Sequence, residues 1–280
     1  MTDKAQRAKL KKKLPHSWNR TLHRLFPMGG ISSGNRLKIF HDGDEAFTAI
    51  HNAFLQAQES IYVETYIFAA DKLGEWIRDA LIQASMRGVC VSVLYDHFGS
   101  NSLNESFLAP MRKAKIKLVE FNPIWPWRRK GPLLFRDHRK IIVVDRKISF
   151  CGSMNISADY AGPKLGNNRF RDSIARIEGP AVIDLLDITL ESLRESEFAQ
   201  HEKIPAIRLD EQPVISLILK RLVGPPALLS EIPSADTMVQ VLRSNTRKNI
   251  NHIQKSMEEC IDRAVDYCFF TTPYFLPSDS

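Results

Sequence analysis

The 280-residue chain has no run of 18 apolar residues, and its first thirty residues lack the apolar core and small-residue cleavage site of a secretory signal. Neither a spanning helix nor an exported precursor is expected, and the sequence reads as that of a cytosolic protein. Cysteine is scarce: Cys90, Cys151, Cys260 and Cys268 share no C-x-x-C spacing, which argues against a disulfide scaffold and predicts reduced thiols with no zinc site. Thirteen glycines and fifteen prolines, without a period, exclude collagen and low-complexity chains. What remains is a globular composition, 44% hydrophobic and 25% charged, long enough to bury a core without staples.

Lys and Arg number 39 against 32 acidic residues, and the surplus is local. Residues 1–40 hold ten Lys/Arg against Asp3 alone, a charge of +9, which leaves −2 for the other 240 residues. A near-neutral globule with a basic arm predicts an anionic partner that meets the arm. There Lys11, Lys12 and Lys13 precede Pro15, and Trp18, Leu22, Leu25 and Phe26 share one helical face, with Arg20, His23 and Arg24 on the others. A basic amphipathic helix of this kind suits an anionic membrane surface; the alternative is a solvated leader whose few apolar residues dock on the body. Gly29, Gly30, Ser32, Ser33 and Gly34 then read as a linker.

From Arg36 onward β-type runs alternate with helical periodicity. The pattern predicts strands at 36–40, 60–68, 89–96, 138–145, 147–151 and 170–178. It predicts helices at 44–57, at 72–87 and from Pro180 to about Phe198, with a further helix and strand within 103–121. Such alternation argues for an α/β layered sheet flanked by helices. Residues 201–235, with five prolines, read as a connection. The pattern then restarts, with a strand at 238–243, a helix at 247–265 and a strand at 267–272. AQESIYVETYIFAAD and CIDRAVDYCFFTTPYFLPSD share the order of helix end, apolar strand, Tyr-centred exit and Asp. The expected organisation is an arm and linker over 1–35, a complete lobe over 36–200, the connection, and a truncated start of a second lobe over 236–280.

The chemistry is concentrated in RDHRKIIVVDRKISFCGSMN, residues 136–155. His138 and Lys140, two apart on an expected strand, project to one face. The imidazole offers a neutral nitrogen to attack phosphorus, forming a covalent phosphohistidine, and the ammonium offsets charge on the nonbridging oxygens. Ser153 and Asn155 can add neutral hydrogen bonds to those oxygens, and Gly152 lets the backbone approach without a Cβ. Asp145 completes the set at the end of the strand, before Arg146 and Lys147, where a turn former or ion-pair partner is expected.

This segment resembles the signature of the phospholipase D superfamily, H-x-K-x4-D-x6-G-S-x-N, with every position filled. HNAFLQAQESIYVETYIF, ASMRGVCVSVLYDHFGS, FNPIWPWRR and DSIARIEGPAV extend the resemblance, more narrowly, to bacterial cardiolipin synthases from about Arg36 to the C-terminus. The resemblance implies metal- and cofactor-independent phosphatidyl transfer with His138, Lys140 and Asp145 as the signature triplet. One phosphatidylglycerol is attacked at phosphorus, glycerol leaves, and a second phosphatidylglycerol takes the phosphatidyl group to give cardiolipin. It further implies that an acidic residue beyond the motif orients the histidine, and Asp172 stands at the matching position; the alternative is an ion pair with Arg169 or Arg171.

Trp125, Trp127, Arg128, Arg129 and Lys130 mix interfacial aromatics with phosphate-seeking cations, as a lipid headgroup entrance or a packed solvated loop would. Glu64 reads either as a contact to the site or as a capped buried carboxylate. His201 and Lys203 repeat H-x-K by chance, since Arg208 stands where Asp is required.

The resemblance also implies two motifs facing each other, one histidine as nucleophile and the other as acid for the leaving alcohol. One motif is present; by the spacing of Tyr66 to His138, a second is expected 60–75 residues beyond Tyr274. The expected partner is therefore a second motif-bearing lobe, from a longer chain or a second copy, together with anionic phospholipid at the cytoplasmic face of the bacterial inner membrane, bound peripherally. Two rival readings stand beside this: a homodimeric phosphodiesterase or nuclease, and an inactive lipid-binding fragment. Confinement of the basic charge to the arm and the Trp125 loop argues against nucleic acid.

Overall fold

The apolar runs form strands of one sheet, and near-continuous burial of its central strands shows that both faces are covered. The computed structural model describes residues 24–123, 135–200, 237–245, 248 and 250–269. These fall into two compact units, one within Ser32–Val239 and one within Met1–Ile31 and Gln240–Ser280.

The larger unit runs β1 (Ile31–Phe40), α1 (Gly43–Gln56), β2 (Ser60–Thr65), α2 (Lys72–Met86), β3 (Cys90–Asp96), α3 (Glu105–Lys113) and β4 (Lys117–Phe121). After these come β5 (Ile141–Val144), β6 (Ile148–Gly152), β7 (Ile174–Glu178), α4 (Ala181–Gln200) and β8 (Thr237–Gln240). The sheet order is β4-β3-β2-β5-β6-β7-β1-β8. β2, β3 and β4 are parallel, as α2 and α3 crossovers require, and β5, β6, β7 and β1 pair antiparallel.

Helix starts follow their caps. The side chains of Asp42, Asp71 and Asn104 accept from the N–H of Glu45 (2.9 Å), Gly74 (2.9 Å) and Phe107 (3.0 Å). Ile61 and Val63 of β2, Val91, Val93 and Tyr95 of β3 and Phe150 of β6 face α1–α3, packing with Phe47, Phe54, Leu73, Ile77 and Met111. The alternate residues, among them Leu94 and Val119, face α4 and meet Leu193. The α/β sheet flanked by helices is thus the fold the periodicities predicted.

Several boundaries differ from the sequence reading. β1 begins at Ile31 and takes in Ser32, Ser33 and Gly34, which had read as linker. Polar bonds replace an apolar pattern there: buried Asn35 donates to Ser32 O (3.0 Å) and Thr237 O (3.3 Å) and accepts from Ala181 N (2.9 Å). β2 stops at Thr65 rather than 68, because Ile67 N and Phe68 N bond to the Asn155 and Ser100 side chains instead of a neighbouring strand. β5 starts at Ile141 rather than 138, and β7 at Ile174 rather than 170.

In the smaller unit a two-stranded pair, β9 (Ser244–Asn245) with β10 (Ile250–Asn251), precedes α5 (His252–Asp262), so the helix is shorter than the expected 247–265. Leu25 is buried in this unit, its carbonyl accepting from Gln240 Nε2 at 2.7 Å, and Arg24 pairs with Glu259 at 3.0 Å. Tyr267–Phe269, expected as strand, pair with none among the described residues. Lys11–Lys13, Trp18, Leu22 and residues 201–235 lie outside the described residues. Among those described, no helix is long and apolar enough to cross a membrane, and the four cysteines are free.

Candidate active site

The parallel strands β2 and β3 end, and β5 begins, at one edge of the sheet, the edge where open α/β sheets gather their reactive groups. His138 and Lys140 lie here on residues 135–140, which precede β5 and are not part of it. Alternation nevertheless holds through side chains rather than a ladder. Asp137 and Arg139 turn inward: Asp137 N donates to buried Asp96 (2.9 Å), and Arg139 donates to Ser192 Oγ on α4 (2.6 Å). Arg136 adds an ion pair to Asp96 at 3.4 Å.

His138 is exposed, and its ring lies 4.8 Å from that of Tyr66, the first residue after β2. Lys140 is only 5% exposed; its ammonium donates to the His138 carbonyl at 2.7 Å and lies 5.2 Å from the Tyr66 ring centre. Burial, and then the Lys140 ammonium, push the His138 imidazole below its usual range. Burial lowers the Lys140 ammonium to about 8, against the carboxylates of Asp137, Asp172 and Asp96, which raise it. The pair is therefore a neutral, accessible imidazole beside a cation at neutral pH.

Tyr66 is the member of this cluster that the sequence reading used only as a spacing mark. Its loop is pinned twice: Tyr66 O accepts from Ser100 Oγ at 3.1 Å, and Ile67 N donates to Asn155 Oδ1 at 3.0 Å. The only signal available was an aromatic at a strand exit.

Ser153 lies exposed at the end of β6, where its N–H donates to Ser173 O at 3.1 Å. Gly152 is required at this crossing, since a Cβ would lie 2.5 Å from Ser173 O. Ser153 Oγ makes a short hydrogen bond to Asp172, whose Oδ1 also accepts from Ser173 N at 2.7 Å. Asp172 therefore makes no hydrogen bond to His138, contrary to the expected orienting role; the β6–β7 crossing places Ser153 against it instead. It acts on the site through Lys140, whose charge it favours.

Asn155 is buried, its amide accepting from Ile67 N and donating to Tyr160 OH at 2.8 Å. The expected phosphate contact is thus replaced by a bond that holds the Tyr66 loop.

Asp145 is not brought to the site. It lies at the far end of β5, about 16 Å from Lys140 at ~3.3 Å per residue. At φ 51° it opens the β5–β6 turn, and its carboxylate accepts from Gln58 N (2.9 Å), Glu59 N (2.7 Å) and Ser60 N (2.9 Å). It is a turn former, as one reading expected, and not a member of the reacting cluster. Trp125, Trp127, Arg128 and Arg129, with Lys130, His201 and Lys203, lie outside the described residues. Among the described residues no group of His, Cys, Asp and Glu could hold a metal ion.

Residues 50–193, just over half the chain, match the family model described as cardiolipin synthase, PLD-like domain. The chain belongs to this phospholipase D-like family. It is 32% identical over 252 residues to cardiolipin synthase 1 of Bacillus cereus, covering 90% of this chain and 47% of that one. To cardiolipin synthase 1 of Bacillus anthracis it is 31% identical over 279 residues, 97% of this chain and 52% of that one. The chain thus spans about half the length of these phospholipase D-like relatives. Among solved structures, the phosphatidylserine synthase of Haemophilus influenzae superposes with a TM-score of 0.50 at 14% identity, over 74% of this chain and 48% of that one, a likeness of fold.

Proposed function

We propose that this phospholipase D-like chain carries the nucleophilic half of a cardiolipin synthase, and that His138 is the residue that takes up the phosphatidyl group. The single observation that supports it most is the neutral, exposed His138 imidazole beside the buried Lys140 ammonium, inside the family match.

An imidazole nitrogen attacks the phosphorus of phosphatidylglycerol, an N–P bond forms, and the P–O bond to glycerol breaks, with a proton delivered to the departing oxygen. Lys140 neutralises charge that grows on the nonbridging oxygens, and the Ser153 hydroxyl can donate to them once it leaves the Asp172 carboxylate it is bonded to. The primary hydroxyl of a second phosphatidylglycerol then attacks phosphorus, loses its proton, and releases the imidazole, giving cardiolipin. No step in this scheme calls for a metal or cofactor.

The acid for the leaving glycerol is assigned to a second motif-bearing lobe, from further chain or a second copy, consistent with the half-length match to the relatives. On this reading residues 36–200 are one lobe and 236–280 open the next. The basic arm and the Trp125–Arg129 stretch meet anionic lipid, which places the site at the cytoplasmic face of the membrane.

Cells lacking cardiolipin and expressing the reading frame that contains this chain should accumulate it, and His138→Asn should abolish accumulation. Absence of cardiolipin with the unmodified frame, at normal protein level, overturns the reading.

A further inference from the structure

The segment before β5 covers a buried acid pair that the phosphatidyl transfer leaves unused. Glu64 on β2 is fully buried under α4, and Asp137 is 6% exposed. Arg139 joins them: its guanidinium donates to Glu64 Oε1 at 3.5 Å and its N–H to Asp137 Oδ1 at 3.2 Å. Each carboxyl keeps one oxygen, Glu64 Oε2 and Asp137 Oδ2, buried with no hydrogen-bond partner. Buried acceptors without donors are costly, and two orphaned carboxyls within hydrogen-bonding reach of each other point to a donor that heavy atoms do not show.

Charge leads to the same place. Three buried carboxyls, Glu64, Asp96 and Asp137, face two guanidiniums, Arg136 and Arg139. Lys140 points its ammonium to the His138 carbonyl, and Asp137, ahead of Asp172 and Asp96, is the carboxylate that most favours its charge. Glu64 is further faced by Cys151 of β6 and Ser192 of α4, neither of which brings a positive charge. Glu64 therefore meets only the Arg139 guanidinium, at 3.5 Å, and a single proton on the pair both removes the excess charge there and supplies the missing hydrogen bond.

We propose that Glu64 and Asp137 share one proton, and that this pair, clamped by Arg139, is a positioning device that turns His138 and Lys140 toward the site. Burial and the Asp137 charge both favour the proton on Glu64. The positioning role rests on the His138 chemistry proposed above; the shared proton does not. With residues 137 and 139 held inward, 138 and 140 face the site without any strand ladder.

Infrared spectroscopy of the full chain tests the proton directly. A protonated carboxylic-acid carbonyl band should be present at about pH 7, move to lower frequency in D2O, and disappear in Glu64→Gln. Glutamine keeps the shape and offers an N–H to Asp137, so the His138 midpoint read by NMR should move by less than about 0.3. Asp137→Asn removes the anion beside the imidazole and should lower that midpoint further. Phosphohistidine formation should fall roughly tenfold or more in Glu64→Leu and stay within about threefold in Glu64→Gln, since only glutamine restores the donor.

Absence of the band in the unmodified chain overturns the shared proton, whether or not any variant folds. So does a band that survives Glu64→Gln, or a His138 shift in Glu64→Gln as large as that in Asp137→Asn. Equal loss in the Gln and Leu variants overturns the positioning role. The band and the titration need no substrate, so they stand or fall separately from phosphatidyl transfer.

Discussion

Replacing Asp145 by alanine should destabilise the protein without touching its chemistry. Its carboxylate accepts three backbone N–H groups, from Gln58, Glu59 and Ser60, all at the entry to β2. Charge-assisted hydrogen bonds contribute about 1.5–3 kcal/mol each when buried, but the Gln58 and Glu59 donors are exposed and can turn to water. Counting mainly the part-buried Ser60 donor, and adding about 1 kcal/mol for alanine at φ 51°, the loss comes to about 3 kcal/mol. For a unit of roughly 200 residues that is a fall in Tm of about 6–12 °C. Asparagine tolerates positive φ and keeps the acceptor oxygen that serves Glu59 and Ser60, so Asp145→Asn should lose about 1 kcal/mol, near 2–4 °C. Calorimetry gives Tm, and phosphohistidine formation measured well below it should stay within about twofold. An unchanged Tm with abolished phosphohistidine would refute this reasoning and return Asp145 to the reacting cluster.

Phosphohistidine formation should follow a bell in pH. It rises as His138 loses its proton below its ordinary 6.5 and falls as the Lys140 ammonium is lost near about 8. An alkaline limb at 10 or above in a pH–rate profile would show that Lys140 is not buried as described. Asp172 favours the Lys140 charge, so Asp172→Asn should move that limb to lower pH while the acid limb stays; a shifted acid limb would mean that Asp172 acts on His138 directly. Asn155→Ala should cost about 2–3 kcal/mol by orphaning Ile67 N and freeing the Tyr66 loop, read as a lower Tm. Full stability with weakened vesicle binding would make Asn155 a phosphate ligand instead. Gly152→Ala forces a Cβ to 2.5 Å from Ser173 O and 2.7 Å from Ile174 Cα, and should lower Tm; a variant as stable as its parent would contradict that crossing.

The sheet and its helices were legible because their signals are local: short runs rich in apolar β-branched and aromatic residues in β2, β3 and β5, and Asp42, Asp71 and Asn104 as caps. His138 and Lys140 were legible for a different reason, the density of chemistry-bearing residues at fixed spacing. What escaped depends on partners distant in sequence. Residues 138–140 read as strand, yet Asp96, Glu64 and Ser192 hold the segment 135–140 through side chains from β3, β2 and α4. Nothing in the local pattern indicated that Asp172 would take Ser153 rather than His138, since the β6–β7 register decides it. Tyr66 became a member of the site only when β2 and β5 were seen to pair, which brings its ring over His138. The fixed signature spacing placed Asp145 beside His138 in sequence, and a four-residue strand carried it to the opposite end of the sheet.

The most direct measurement is a rapid acid-free quench of the gene product carrying this chain, mixed with vesicles of phosphatidylglycerol labelled at phosphorus, followed by mass mapping of the label. Label on the imidazole of His138, labile to acid, stable to base and absent from His138→Asn, is the expected result. Cardiolipin formed at full rate with no label on the protein, or label on another residue that survives His138→Asn, would contradict it.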